Sequence, residues 1–190
     1  MKIVVGINGA SGAIYGIRLL QVLAGVPDME VHLLVTDAGE KTIEIETEFK
    51  AGEVKALAHY RYGIDDLTAC LASGSFKHDG MIIAPCSMKT LSALATSYTD
   101  NLLTRAADVT LKEHRRLLLL VRETPLHLGH LRNMVRVAEI GGVIMPPVPA
   151  FYHKPRSLQD IVDHTIGKAL DLFSIEHDLF KRWPGTGEMT

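Results

Sequence analysis

The 190-residue chain is poor in cysteine, holding only Cys70 and Cys86. Two such distant thiols make neither a disulfide framework nor a C-x-x-C motif. Charge of one sign is also missing. Twenty Lys and Arg face 22 Asp and Glu, for a net charge of -2. That removes the electrostatic reason to expect nucleic acid or an anionic membrane surface as partner. No apolar run reaches the roughly 18 residues of a membrane span, and the opening lacks the basic segment and cleavage site of a secretory leader. With the cysteine usage, this predicts a reducing cytoplasm. The nine histidines are scattered. His127 and His130 could share a helix face, but no carboxylate joins them at zinc-site spacing, so no metal is expected. Repeats and low-complexity segments are absent, and 47% hydrophobic with 22% charged residues suits a single soluble domain.

What is present begins at once. Lys2 to Ile7 is rich in β-branched residues, glycines follow at 6, 9, 12 and 16 around Ser11, and an apolar period then runs from Ile14 to Leu23. This reads as a buried strand, a tight glycine turn and a helix. Free amides at such a helix start attract anions, and glycine admits a ligand close to the backbone. A phosphate or a ring carbonyl is the natural guess over residues 9–12. The dinucleotide fingerprint G-x-G-x-x-G is not met, because Asn8 stands where the pattern fails.

Further strands are expected over Glu30 to Val35, Gly80 to Ala84, Leu117 to Val121 and Val143 to Met145. The Leu117 run is apolar at every position, as in a strand covered on both faces. Helices are expected over 38–49, from about Ser87 to Ser97, and over 100–113, 127–140 and 157–173, with Ser157 as an N-cap. Residues 50–76 are the least legible. Five alternations predict an α/β fold, a doubly wound parallel sheet with ligands beyond the carboxyl ends of the strands. Ser11, Thr36, Ser87, Lys89, Thr90, Arg122, Glu123 and Tyr152 fall at those exits. Small hydroxyls at helix starts with a lysine and an arginine suit a phosphate. The Pro85–Thr90 segment lacks the glycines and G-K-[ST] order of a P-loop.

Gly9-Ala10-Ser11-Gly12-Ala13, Pro85-Cys86-Ser87-Met88-Lys89-Thr90, Arg105-Ala106-Ala107-Asp108, Leu111-Lys112-Glu113, Val121-Arg122-Glu123-Thr124-Pro125 and Pro149-Ala150-Phe151-Tyr152-His153 resemble, in order and spacing, the UbiX-type flavin prenyltransferases. The likeness runs from Lys2 to Trp183. It implies a flavodoxin-like, Rossmann-like sheet in a flavin-binding domain over 1–175 and a tail over 176–190 that covers the prenyl site. It also implies a homododecamer, no metal, and reduced FMN as acceptor of a dimethylallyl group from dimethylallyl phosphate. The new bonds lie at N5 and C6, and the prenylated FMN serves a UbiD-type decarboxylase.

Carried over by motif, Gly9, Ala10 and Ser11 lie against the flavin. Thr36, Ser87, Met88, Lys89, Thr90 and Arg122 hold its ribityl phosphate region. Lys112, Arg122, Tyr152 and Lys168 grip the prenyl phosphate, with Trp183 over the prenyl group. Glu46, Glu123 and Ser11 are the expected catalytic group, Glu123 as acid/base. Thr36 replaces the usual serine and keeps its hydroxyl. Lys168 replaces the usual arginine and loses the bidentate fork. Two flavin-using rivals stand beside this reading: a flavin-dependent decarboxylase of the phosphopantothenoylcysteine type on the same fold, whose P-A-S-A-N-T-like loop and early histidine are missing here, and a non-enzymatic FMN carrier that needs the flavin cradle but no Lys112 or Lys168. An NAD reductase with Asp37 on the ribose is the third rival.

Overall fold

The structure is a computed structural model describing residues 1–183 and 185. Its contacts divide it into two compact units, Met1–Pro146 and the residues from Pro147 onward. Of the expected tail, Pro184 and residues 186–190 lie outside the described residues.

The first unit is built on β1 (Lys2–Ile7), β2 (Glu30–Val35), β3 (Tyr60–Tyr62), β4 (Gly80–Cys86), β5 (Arg116–Val121) and β6 (Gly142–Ile144). All neighbours are parallel, in the order β3-β2-β1-β4-β5-β6. Between and around them run α1 (Ala13–Ala24), α2 (Asp37–Glu46), α3 (Ala51–Ala56), α4 (Met88–Ala95), α5 (Leu102–Lys112) and α6 (Leu128–Glu139). This is the expected doubly wound α/β sheet. The chain order reverses between β1 and β4, so the connections leaving those strands part and open a crevice at their carboxyl ends.

Burial explains which strands were readable. Leu117 to Leu120 are fully buried and Val121 nearly so, so neither face of β5 meets water and every position must be apolar. The sixth strand, β3, was not expected. It has three residues, pairs His32 to Leu34 of β2 at the sheet edge, and leaves Tyr60 and Arg61 exposed. A strand that short carries no period to read. Pro85 stands inside β4, and the pairing with β5 shifts register between Ile83 and Cys86; proline has no N–H to give the ladder.

The core joins Val4, Met81, Ile83, Leu117 and Leu119 of the sheet to Leu91 and Leu94 of α4 and Leu102, Leu103 and Ala106 of α5. On α1, a Cβ on Gly16 would stand 2.3 Å from the Ala84 carbonyl oxygen. The bare glycine therefore sets how closely α1 lies on β4, and so where the β1 turn meets the β4 exit.

In the second unit, α7 (Leu158–Asp171) opens on a capping box. The Asp160 amide donates to Ser157 Oγ at 3.2 Å, and the Ser157 amide donates to Asp160 Oδ2 at 3.1 Å. Val162, Ile166, Ala169 and Leu170 are its buried apolar residues.

Candidate active site

At the carboxyl ends of β1, β2 and β4 lies a cavity of about 760 Å³. Five expected cofactor residues line it together: Gly9, Thr36, Ser87, Lys89 and Thr90. Two helix starts face it. Thr36 caps α2, its hydroxyl oxygen accepting from the Gly39 amide at 3.0 Å. Ser87 caps α4, accepting from the Thr90 amide at 3.3 Å. In the first turn of α4 stands Lys89. A cation there works against the helix dipole, and an anionic ligand would repay it. Asp37, Asp65 and Asp100 also line the cavity, so an anion is favoured only beside the capped helix starts and Lys89.

The residue that joins these pieces is Asn8, which the sequence marked only as breaking a glycine pattern. It is 2% exposed. Its Oδ1 accepts from the Ser87 amide at 3.0 Å and the Ala10 amide at 3.3 Å, and its Nδ2 donates to Thr90 Oγ1 at 3.0 Å. One amide thus ties the β1 turn to the β4 exit. The missed signal was chemical: a buried amide at a strand exit must find partners, and here they come from the β1 turn and the start of α4. Asn101 and Thr104 also line the cavity and were not expected there; they form the capping box that starts α5.

A second group gathers at the start of α1. Gly12, the N-cap at φ 102°, has no side chain to give. Glu46 Oε2 takes over, accepting from the Gly12 amide at 2.7 Å and the Ala13 amide at 3.0 Å. Burial opposes ionisation of Glu46. The Ser11 hydroxyl, the two amides and the Arg122 charge together outweigh it and hold the carboxyl below its usual range. Glu46 is therefore an anion that orders the Ser11 turn and faces Arg122.

The remaining expected residues are dispersed. Met88 is partly buried, its side chain packed against the core. Ala10 is nearly buried. Glu123, exposed beyond β5, accepts from the Thr124 amide at 3.0 Å. Lys112 ends α5, whose start lines the cavity, and it pairs there with Glu113. Eight residues of helix, about 12 Å, separate it from Thr104, so its own chain does not bring it to the cavity. Within the second unit, Tyr152, Lys168 and Trp183 belong to one cluster. The Trp183 ring stands edge-on to Tyr152 with centroids 5.8 Å apart, and the Tyr152 hydroxyl lies 2.8 Å from His164 Nε2. Lys168 Nζ is 3.5 Å from Asp171, a carboxylate that Arg182 also grips at 2.6 and 3.0 Å. Arg182 first, with His177 and Lys168 beyond it, overrides burial and lowers the Asp171 carboxyl to about 2.

Burial pushes the Cys86 thiol up to about 12, so it stays protonated and is no nucleophile. The His127 and His130 rings lie 3.6 Å apart, and no metal-ligand cluster occurs among the described residues.

Fold and cavity are those of a flavodoxin-like protein whose crevice opens at the topological switch point. A family profile described as Flavoprotein matches residues 1–172. A flavin prenyltransferase UbiX of Escherichia coli is 59% identical over 186 residues, spanning 97% of this chain and 98% of its own. Two solved structures are also close. A dodecameric FMN-dependent UbiX-like decarboxylase from Escherichia coli has a TM-score of 0.96 at 46% identity, over 97% of this chain and 100% of that one. A UbiX in complex with FMN and dimethylallyl pyrophosphate has a TM-score of 0.95 at 49% identity, over 97% of each chain. The chain belongs to the flavoprotein family and, within it, to the UbiX-type flavin prenyltransferases.

Proposed function

We propose that this protein transfers a dimethylallyl group from dimethylallyl phosphate to reduced FMN. The observation that carries the reading is the full-length match to flavin prenyltransferases, on a chain whose switch-point cavity offers two capped helix starts and Lys89. The residues fit FMN: the capping hydroxyl of Thr36 accepts from an amide and keeps its own proton for a phosphate oxygen, while the Ser87 hydroxyl donates to Thr90 Oγ1 at 3.3 Å, leaving the Thr90 proton for the ligand. Lys89, Thr90, Arg122 and the Met88 backbone complete that subsite, and Gly9, Ala10 and Ser11 lie along the ring.

Reduced FMN, as acceptor, supplies nucleophilic N5 and C6. Cleavage of the allylic C–O bond leaves growing negative charge on the phosphate. Arg122, Tyr152 and Lys168 stabilise it without a metal, as fixed cations and a hydroxyl do in any dry site. Lys112, distant from the cavity in its own chain, joins the grip of a neighbouring copy. Trp183, of the 176–190 tail that follows the 1–175 flavin-binding domain, covers the prenyl group and keeps water from the allyl cation. Glu123 moves the proton lost at C6, while Glu46 holds the Ser11 turn and Arg122.

Assembly as a dodecamer has a surface to use. Leu128, Leu131 and Val135 of α6 are 59%, 44% and 56% exposed at helical spacing, an apolar stripe that a second copy would cover. The product goes to a UbiD-type decarboxylase, in the cytoplasm; among the described residues no helix is long and apolar enough to cross a membrane.

The test is phosphate release. With dimethylallyl phosphate and limiting reduced FMN, the protein should release one phosphate per flavin. No release, with FMN bound, would make it a carrier.

A further inference from the structure

We propose that His164 is a positioning residue for the prenyl donor: its Nε2–H donates to the Tyr152 oxygen and so turns the Tyr152 proton outward to the donor's phosphate. The inference deepens the proposed function and rests on Tyr152 belonging to the donor grip. His164 was not among the residues expected from the sequence, and nothing in the proposed chemistry yet uses it.

The geometry is specific. His164 sits on α7, 7% exposed, with Nε2 2.8 Å from the Tyr152 hydroxyl oxygen. Its ring is clamped: the His153 ring stacks on it at 4.7 Å and 4°, and Phe180 leans on it at 4.6 Å. The ring therefore cannot swing away from Tyr152. Lys168 follows four residues later, so α7 presents His164 and Lys168 on one face. Two parts of the expected grip, Tyr152 and Lys168, thus share a single helical support.

Proton counting does the rest. Burial, and then the His153 and Lys168 charges, disfavour the imidazolium of His164, with Asp171 opposing in part. A neutral imidazole carries one N–H. Placed on Nδ1, it would leave Nε2 to accept, and the Tyr152 proton would be spent on the ring. Placed on Nε2, it satisfies the Tyr152 oxygen and frees the Tyr152 proton. A phosphate dianion beside Tyr152 draws that proton outward and selects the second tautomer.

Donor binding can be read without turnover. Trp183 is the chain's one tryptophan, edge-on to Tyr152, so its fluorescence in the protein loaded with oxidised FMN follows added dimethylallyl phosphate. His164→Leu should weaken donor binding roughly tenfold, the worth of one hydrogen bond to a charged group, with FMN affinity unchanged within about twofold. His164→Gln, whose amide N–H reaches the Nε2 position, should recover to within about threefold of wild type and guards against a Leu variant that misfolds. In a Tyr152→Phe background, His164→Leu should add less than about twofold, because the hydroxyl it orients is gone. Equal losses in both backgrounds would overturn the proposal. So would unchanged donor binding in His164→Leu or in Tyr152→Phe, or an FMN affinity that falls in step. Whether prenylated flavin forms is a separate result, and it decides the transferase reading alone.

Discussion

Replacing Asn8 by alanine should damage stability and FMN binding together. The side chain makes three hydrogen bonds at 3.0, 3.0 and 3.3 Å in a site that is 2% exposed. A net worth of about 1 kcal/mol each, discounted for the longest, gives a loss of about 2–3 kcal/mol. For a chain of this size each kcal/mol moves Tm by about 2–4 °C, so Asn8→Ala should melt roughly 5–10 °C below wild type. The two loops it ties also carry the Ser87, Thr90 and Ala10 groups of the flavin subsite. Their loosening should cost about 1–2 kcal/mol of FMN affinity, or roughly 5- to 30-fold. Asn8→Asp separates the two effects. It keeps both accepting contacts but places a charge beside the phosphate subsite, so it should melt closer to wild type and bind FMN more weakly than Asn8→Ala. Calorimetry and flavin-fluorescence titration measure both. An Asn8→Ala variant that melts within about 2 °C of wild type and binds FMN equally well would refute the reasoning.

Other outcomes follow from single contacts. Gly16→Ala would push a methyl into the Ala84 carbonyl and should cost about 1–3 kcal/mol in urea unfolding; an unchanged midpoint would contradict the close approach of α1 to β4. Glu46 is held below its ordinary value near 4.5 in the fold. Its ionised form therefore stabilises the protein above that pH, and the contribution disappears as pH falls through the lower folded value. The stability gap between wild type and Glu46→Gln should accordingly be widest above about pH 5 and close in acid; a constant gap would deny the link. Leu131→Asp places a charge on the apolar stripe of α6 and should shift sedimentation to smaller species, whereas an unchanged assembly would move the interface elsewhere.

Much of the fold was legible because burial writes itself into sequence. β2 was expected over Glu30 to Val35 and runs over those residues, and the Leu117 to Val121 run could only be a strand covered on both faces. Ser157 was readable as a cap because the chemistry of a cap is local. What could not be read depends on tertiary partners. The edge strand at Tyr60–Tyr62 exists through its pairing with β2. Asn8 acquires its role from groups about 80 positions away, as its bond to Thr90 shows. His164 matters through a hydroxyl brought back by a loop. Lys112 shows the reverse: its motif was plain, yet it stands at the far end of α5 from the cavity-lining Thr104.

The central claim is that this protein builds a new carbon framework on its flavin. Anaerobic incubation with reduced FMN and dimethylallyl phosphate, followed by mass spectrometry of the extracted flavin, tests it most directly. The account predicts a flavin heavier by one prenyl unit; FMN recovered unmodified, with both the phosphate and the pyrophosphate donor, would contradict it.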